Sequence, residues 1–279
     1  MGSYIDTFER KEVKYRLNAQ RRSAIETALC QNMVVDGYGR TRIESVYLDT
    51  PERALIVRSL EKPLYKEKLR VRSYGPIAEA NEVYVEIKKK FKGIVYKRRV
   101  QMTKTAARRF LLEGVSYEDA VMANPVVSLS GEVMGLEPNN IQIAREISAF
   151  CKRYPGLAPS MLIGCERVAL QMRPECEDLP AVRVTFDDDV LSLDLFADGR
   201  AAQCSFAPVT EPGESIMEVK VAGAFPLWLT DILSANKTYS SSFSKYGTAY
   251  MKLVCEGAPF TRQELGVRAF TTNERIRCA

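Results

Sequence analysis

The sequence predicts an α+β protein whose antiparallel sheet curls into a barrel around a charged lumen. Three observations lead there. Charged residues recur at every second position, with apolar residues between them, in Glu12-Val13-Lys14, Lys68-Leu69-Arg70-Val71-Arg72, Glu86-Ile87-Lys88, Arg183-Val184-Thr185-Phe186-Asp187 and Glu218-Val219-Lys220. Side chains alternate between the two faces of a strand, so each run sets its charges on one face and its Val, Leu, Ile or Phe on the other. Short links, Gly75-Pro76 and the tight turn Phe91-Lys92-Gly93, join three successive strands and fix antiparallel pairing. The element order, β-α-β-α-β-β-β-α-α-β-β-β-β-α-α, is not the alternation that builds a parallel sheet. If helices cover the apolar faces, the charged wall turns inward, and an antiparallel sheet does this by closing on a polar lumen. Many Lys and Arg with a few Glu suit a polyanion accompanied by a hard divalent cation.

The elements follow in order. A strand over 10–17 leads to an amphipathic helix from about 19 to 31, with Ile25, Leu29 and Met33 on one stripe. A short strand, 45–50, ends in a turn, and Pro51 opens a helix to about 60 because proline suits the first helical turn. Strands 66–74, 82–90 and 94–102 come next, then a helix 103–114 capped by Thr103 and a further turn at 118–123. A longer amphipathic helix, 140–154, stops before Pro155 and Pro159. Strands 160–172, 181–187, a short 191–195 and 215–222 precede an apolar helix 225–235 and a last helix 241–254 opened by serines. The turn at Asp187-Asp188-Asp189 reads as a strand end rather than a metal cluster. Beyond about Gly257 the chain turns polar and basic, as a loosely attached tail would.

Composition excludes several chemistries. The chain has 279 residues, 46% hydrophobic and 27% charged, enough for one large domain or two small ones. No run of about 18 apolar residues occurs, and the N-terminus MGSYIDTFERKEVKY lacks a signal-peptide core, so a soluble, cytoplasmic protein is expected. Seven scattered cysteines without a C-x-x-C pair argue for reduced, mostly buried thiols rather than disulfides or zinc. There is no histidine, which removes Ser-His-Asp and Cys-His systems, an imidazole base and His-ligated zinc. A metal must then rest on carboxylates, water or substrate oxygens, which selects Mg²⁺, Mn²⁺ or Ca²⁺. The net charge is only +5, and aromatic residues do not interleave the basic strands, so nucleic acid is not expected as a partner.

The alternating runs supply the candidate site. Arg70 and Arg72 share a face at a spacing of about 7 Å, suited to successive phosphates. Glu86, Lys88 and Lys90 form one face and Lys97 and Arg99 another, two sets that can converge on the same lumen in a two-sided antiparallel barrel. Lys89, Lys90, Lys92 and Arg98 crowd the hairpin turn and read as solvated. Of the adjacent Glu166 and Arg167, the arginine is taken as inward; Arg183, Thr185 and Asp187 face one way. Glu218 beside Lys220 is either a metal ligand or half of an internal salt bridge, and the two roles are compatible. Lys245, near the start of the last helix, would reinforce an anion site.

Nine strings in order, FERKEVKYRL, SVYLDT, YKEKLRVRSYG, YVEIKKK, VYKRRV, ERVAL, VRVTFD, IMEVKV and FSKYGTAY, resemble the VTC domain, the catalytic domain of polyphosphate polymerases and a relative of CYTH-type triphosphate tunnel metalloenzymes. The resemblance runs from about Phe8 to Leu253. It implies one domain over 1–256 with a polar tail at 257–279, and an eight-stranded antiparallel β-barrel with helices packed around the outside. It implies that Lys14, Arg70, Arg72, Lys88, Lys97, Arg167, Arg183, Lys220 and Lys245 bind phosphate, with Glu218 the metal ligand. Arg99 joins the substrate-binding set, and Glu86 and Glu12 are the next carboxylates for the metal. Two departures stand out. The E-x-E-x-K of the CYTH relatives is here Arg10-Lys11-Glu12-Val13-Lys14, and a lysine of the eukaryotic polymerase is here Ser242. The implied activity is Mn²⁺- or Mg²⁺-dependent transfer of the ATP γ-phosphoryl group to polyphosphate. The alternatives are a tripolyphosphatase or nucleoside triphosphatase, with Glu12 or Glu86 as base, and a non-catalytic polyphosphate-binding module. Implied partners are ATP, polyphosphate or tripolyphosphate and pyrophosphate, with a protein partner for any membrane attachment.

Overall fold

The structure is a computed structural model that describes residues 10–92, 94–176, 179–196 and 206–255. Gly93 of the expected hairpin turn and the expected tail at 257–279 lie outside the described residues. In chain order the elements are β1 (Arg10–Leu17), α1 (Ala19–Leu29), β2 (Met33–Asp49), α2 (Ala54–Leu60), β3 (Tyr65–Tyr74), β4 (Glu82–Phe91), β5 (Ile94–Thr103), α3 (Lys104–Leu112) and α4 (Tyr117–Ala123). Then follow β6 (Val126–Val127), β7 (Val133–Met134), α5 (Pro138–Arg153), β8 (Ala158–Met172), β9 (Val182–Asp194), β10 (Ala207–Pro208), β11 (Ser215–Ala222), α6 (Leu227–Ala235) and α7 (Lys245–Tyr250).

The protein is α+β, with one large sheet in the order β1-β11-β9-β8-β2-β3-β4-β5 and β10 beside β9. The pairs β1–β11, β11–β9, β2–β3, β3–β4 and β4–β5 are antiparallel, as the short links require. The path ends at β1 and β5, and no pairing joins these two among the described residues. What is seen is thus a large antiparallel sheet with helices around it rather than a closed eight-stranded barrel.

The described residues form two compact units, one drawn from 10–41, 165–176, 179–190 and 210–244, the other from 42–92, 94–164, 191–196, 206–209 and 245–255. In the first unit, Val182, Val184, Phe186, Met217, Val219 and Val221 are the apolar halves of the alternating strands. They bury against Ile25 and Leu29 of α1 and Leu229 and Leu233 of α6. In the second, Leu69, Val71, Val83, Val85, Ile87, Val100 and Met102 bury against Phe110, Tyr117, Ile143, Ile147 and Phe150 of α3, α4 and α5. Each alternating run therefore does what its period demands, with the apolar face to the helices and the charged face away. The expected cap is in place: the Thr103 hydroxyl accepts from the Ala106 amide at 3.2 Å, satisfying one free donor of α3.

Four local expectations are corrected. Strand β2 begins at Met33, not Ser45, so Met33 opens a strand rather than closing the stripe of α1. Strand β9 runs without a break from Val182 to Asp194. Asp187, Asp188 and Asp189 therefore lie inside a strand, and the chain is accommodated by a positive φ of 48° at Asp189. Helix α2 starts at Ala54 rather than Pro51, where the Asp49 carboxylate accepts from the Leu55 and Ile56 amides at 2.9 and 3.0 Å. The last helix starts at Lys245 rather than Ser241 and widens to a π-helical turn at Met251–Cys255. Of the free cysteines among the described residues only Cys165 is buried; Cys30 is exposed and Cys151 and Cys176 are half-buried.

Candidate functional site

Strand register builds a basic face in the second unit. Arg72 lies opposite Ser45 and Tyr84, Arg70 opposite Tyr47 and Glu86, and Lys68 opposite Lys88; Glu86 and Lys88 in turn face Arg99 and Lys97. Residues directly opposite share a face, so Lys97 and Arg99 stand on the same face as Glu86 and Lys88 without any closure of the sheet. Glu86, 1% exposed, is the anchor. Its Oε2 accepts from Arg70 Nε at 2.7 Å and lies 2.6 Å from Arg70 Nη2, Arg72 Nε lies at 3.8 Å, and Lys97 Nζ lies 2.8 Å from Oε1. Burial alone would raise the Glu86 pKa, but the charges of Arg70, Arg72 and Lys97 outweigh it and hold the carboxyl well below the usual range. Burial pulls Lys97 down to about 8 against the opposing pull of Glu86, with Arg70 and Arg72 adding to the decrease.

Behind Arg70 stands a buried polar chain. Arg70 Nη1 donates to the Tyr47 hydroxyl at 3.0 Å, and the Tyr47 ring stacks on Tyr246 with centroids 4.6 Å apart. The Tyr246 hydroxyl donates to Asp49 Oδ2 at 2.8 Å and lies 3.0 Å from the Ser160 hydroxyl. Asp49 is fully buried and holds the first turn of α2 through the amides described above. Burial would raise the Tyr47 pKa, but Arg70, Lys68 and Arg72 bring it down to about 8; burial and the Asp49 charge push Tyr246 up.

The first unit carries a second charged face. Lys14 on β1 lies opposite Glu218 on β11, which lies opposite Thr185 on β9; Glu12, Lys220 and Arg183 form the next row. Glu218, with its side chain 13% exposed, has Lys220 Nζ at 2.5 Å and Lys14 Nζ at 3.7 Å, and Lys14 also lies 3.4 Å from Glu12. Burial would raise the Glu218 pKa, yet Lys220, Lys14 and Arg167 keep it ionised, well below the usual carboxylate range. Arg167 points to this face, as expected, and grips Asp187 with two bonds of 2.5 and 2.8 Å. Arg183 Nη2 donates to Asp36 at 2.7 Å.

The donors of this face fit a divalent cation shared with a phosphate. Glu218 offers a hard, ionised oxygen, and Thr185 opposite it, 2% exposed, has a hydroxyl without a hydrogen-bond partner. Mg²⁺ and Mn²⁺ often take one or two carboxylates from a protein and their other oxygens from phosphate and water. Among the described residues no group of three or more acidic or thiol side chains could hold a metal alone. Glu86 fits a metal less well, enclosed as it is by three cations. Lys245 heads a six-residue helix and is half-buried.

Several side chains that position the candidate residues were given no such role from the sequence. Tyr47, Asp49 and Tyr246 align Arg70, and Asp36 and Asp187 hold Arg183 and Arg167. Only register could have revealed them, since Tyr47 and Asp49 share the period of Ser45 along β2. Aromatic residues do join the basic strands: Tyr84 faces Arg72 and Tyr47 faces Arg70.

In this α+β protein, basic side chains are organised around a buried carboxylate on the face of the antiparallel sheet opposite its helix-packed apolar side. The chain belongs to the VTC domain family, whose sequence pattern matches residues 9–254, nine-tenths of its length and parts of both units. Among curated proteins no match was found. Among solved structures, a candidate adenylate cyclase from Vibrio parahaemolyticus aligns with 11% identity and a TM-score of 0.40, covering 86% of this chain and 96% of that one. No helix among the described residues is long and apolar enough to cross a membrane.

Proposed function

We propose that the protein is a metal-dependent polyphosphate polymerase that transfers the γ-phosphoryl group of ATP to a growing polyphosphate chain and releases ADP. The supporting observation is the Glu86 anchor, which holds Arg70, Arg72 and Lys97 in fixed positions on a face with Lys68 and Lys88, in a chain of the VTC family. Guanidinium and ammonium groups fixed in advance neutralise charge on a transferring phosphoryl group without reorganising. A terminal oxygen of the polyphosphate chain attacks the γ-phosphorus, the bond to the bridging oxygen breaks, and ADP departs with its electron pair. That oxygen is already ionised near neutral pH, so the step needs no histidine base.

In this reading Arg70, Arg72, Lys88 and Lys97 bind the triphosphate, with Arg99 beside them, and Lys14, Lys220, Arg167, Arg183 and Lys245 bind phosphate. Glu218, with Glu12 close to it on the same face, would hold Mn²⁺ or Mg²⁺, which supplies Lewis-acid neutralisation of phosphate oxygens. Lys220 must then give up its hold on Glu218.

Incubation of the purified protein with ATP and Mn²⁺ or Mg²⁺, following ADP, free phosphate and long-chain product together, tests the assignment. ADP with long-chain polyphosphate is expected. Stoichiometric free phosphate without polymer would make the protein a triphosphatase. No turnover of ATP or tripolyphosphate with either metal would leave a binding module.

A further inference from the structure

We propose that Tyr74, Tyr84 and Arg99 form a nucleobase-stacking subsite at one end of the Arg70 and Arg72 face, so that this face prefers a nucleoside triphosphate to inorganic tripolyphosphate. The inference rests on the phosphate-binding role given to that face above. Strand alternation places Tyr74 on the side of β3 that carries Arg70 and Arg72, about 7 Å beyond Arg72. Tyr84 stands directly opposite Arg72. The two rings meet edge to face, 5.6 Å apart at 82°. The Arg99 guanidinium lies 4.6 Å from the Tyr84 ring centroid, and its Nη1 donates to the Tyr74 hydroxyl at 3.3 Å.

These three side chains are locked to one another, yet Tyr74 remains 52% exposed. Tyr47, the aromatic residue nearer the middle of the face, is 7% exposed and already stacked on Tyr246. An aromatic ring held rigid and left open to water is ready to receive another flat π-system, and every nucleobase has one. In a nucleoside triphosphate the base and the γ-phosphate lie at opposite ends, with the ribose between them. A stacking platform must therefore lie at the end of the phosphate row, which is where Tyr74 stands. Inorganic tripolyphosphate has nothing to place there. Cross-strand packing alone would account for the contact between the two rings but leaves the exposed ring beside Arg72 without a role.

Titration calorimetry in metal-free buffer, with ATP and with tripolyphosphate, tests the subsite. Tyr74→Ala should weaken ATP about tenfold, the usual effect of losing one base-stacking ring, and change tripolyphosphate affinity by less than about twofold. Tyr74→Phe keeps the ring but loses the bond from Arg99, so its ATP affinity should fall between those of the wild type and Tyr74→Ala. Wild-type protein should bind ribose 5′-triphosphate about tenfold more weakly than ATP, a comparison that needs no variant to fold. Equal affinity for ATP and ribose 5′-triphosphate, or an equal loss of ATP and tripolyphosphate in Tyr74→Ala, overturns the subsite and leaves the phosphate-binding role intact. Wild-type protein that binds neither ATP nor tripolyphosphate overturns that role and the subsite with it.

Discussion

Glu86 and Glu218 each sit among cations on a charged face, one in each compact unit, and they are held in different ways. Glu86 is 1% exposed and bound to two arginines and a lysine, with Arg70 further fixed by Tyr47. Glu218 keeps 13% side-chain exposure and meets two lysines that are themselves 26% and 38% exposed. Planar guanidinium forks on a buried carboxylate give directional, desolvated bonds, whereas ammonium groups at the end of flexible stems can be displaced. The contrast separates a carboxylate that fixes cations in place from one that can exchange its cation for another.

The contrast can be broken most sharply at Glu86. Glu86→Ala leaves Arg70, Arg72 and Lys97 without their shared anion, and unfolding in denaturant should show a loss of about 3–5 kcal/mol, the usual cost of breaking a buried pair from one side. Glu218→Gln should lower stability by under about 1 kcal/mol, because its partners are partly solvated. Equal costs for the two substitutions would show that both carboxylates are held alike.

Turnover should separate the two carboxylates by its dependence on metal. Glu218→Gln is expected to reduce metal-dependent turnover about a hundredfold, since it removes the charged ligand, and to retain or strengthen metal-free tripolyphosphate binding. Near-normal activity at saturating Mn²⁺ would remove Glu218 from the metal site and leave Glu12 as the next carboxylate. Arg70→Ala and Arg72→Ala should each weaken triphosphate binding by about 1.5–3 kcal/mol, the range for a charge-assisted contact. Both should also lower the melting temperature, because both side chains brace Glu86. Unchanged affinity in calorimetry would place these arginines outside the binding surface.

The smallest expected effect is a pH dependence confined to the Glu86 face. Lys97 is pulled down to about 8 and Tyr47 is brought down to about 8. As pH rises through that region a cation disappears and a phenolate forms, and both changes oppose an anion, so tripolyphosphate affinity should fall severalfold between neutral and mildly alkaline pH. A bound polyanion raises both pKa values, so binding near pH 8 should take up protons, measurable by calorimetry in buffers of different ionisation enthalpy. Lys97→Met and Tyr47→Phe should each remove part of that uptake, and if neither does, other groups carry it.

Much of this was legible from local pattern. Strands β1 and β11 fall where charge alternation places them, and β3, β4 and β5 within a residue of it, because period two is a property of the strand itself. The first half of β2 was not, since Asp36-Gly37-Tyr38-Gly39 carries two glycines and no alternation of apolar and charged residues. Two further carboxylates that brace the charged faces, Asp36 and Asp49, were hidden because their partners lie far along the chain. Asp36 meets Arg183 across 147 residues, and Asp49 meets Tyr246 across 197, separations over which no local spacing carries information. Lys97 and Arg99 read as a set apart from Glu86 and Lys88 because alternation within one strand does not give the register between two, which here places Lys88 opposite Lys97 and Glu86 opposite Arg99.

The carboxylate of Asp49 has one oxygen on the Leu55 amide and the other shared by the Ile56 amide and the Tyr246 hydroxyl, while the Tyr246 ring lies against the tyrosine that holds Arg70. An anion that draws Arg70 away from Tyr47 therefore perturbs a stack whose far end anchors a helix start. Hydrogen exchange at Leu55 and Ile56 becomes a reporter of occupancy at a surface those amides never touch, readable in the wild-type chain without a label.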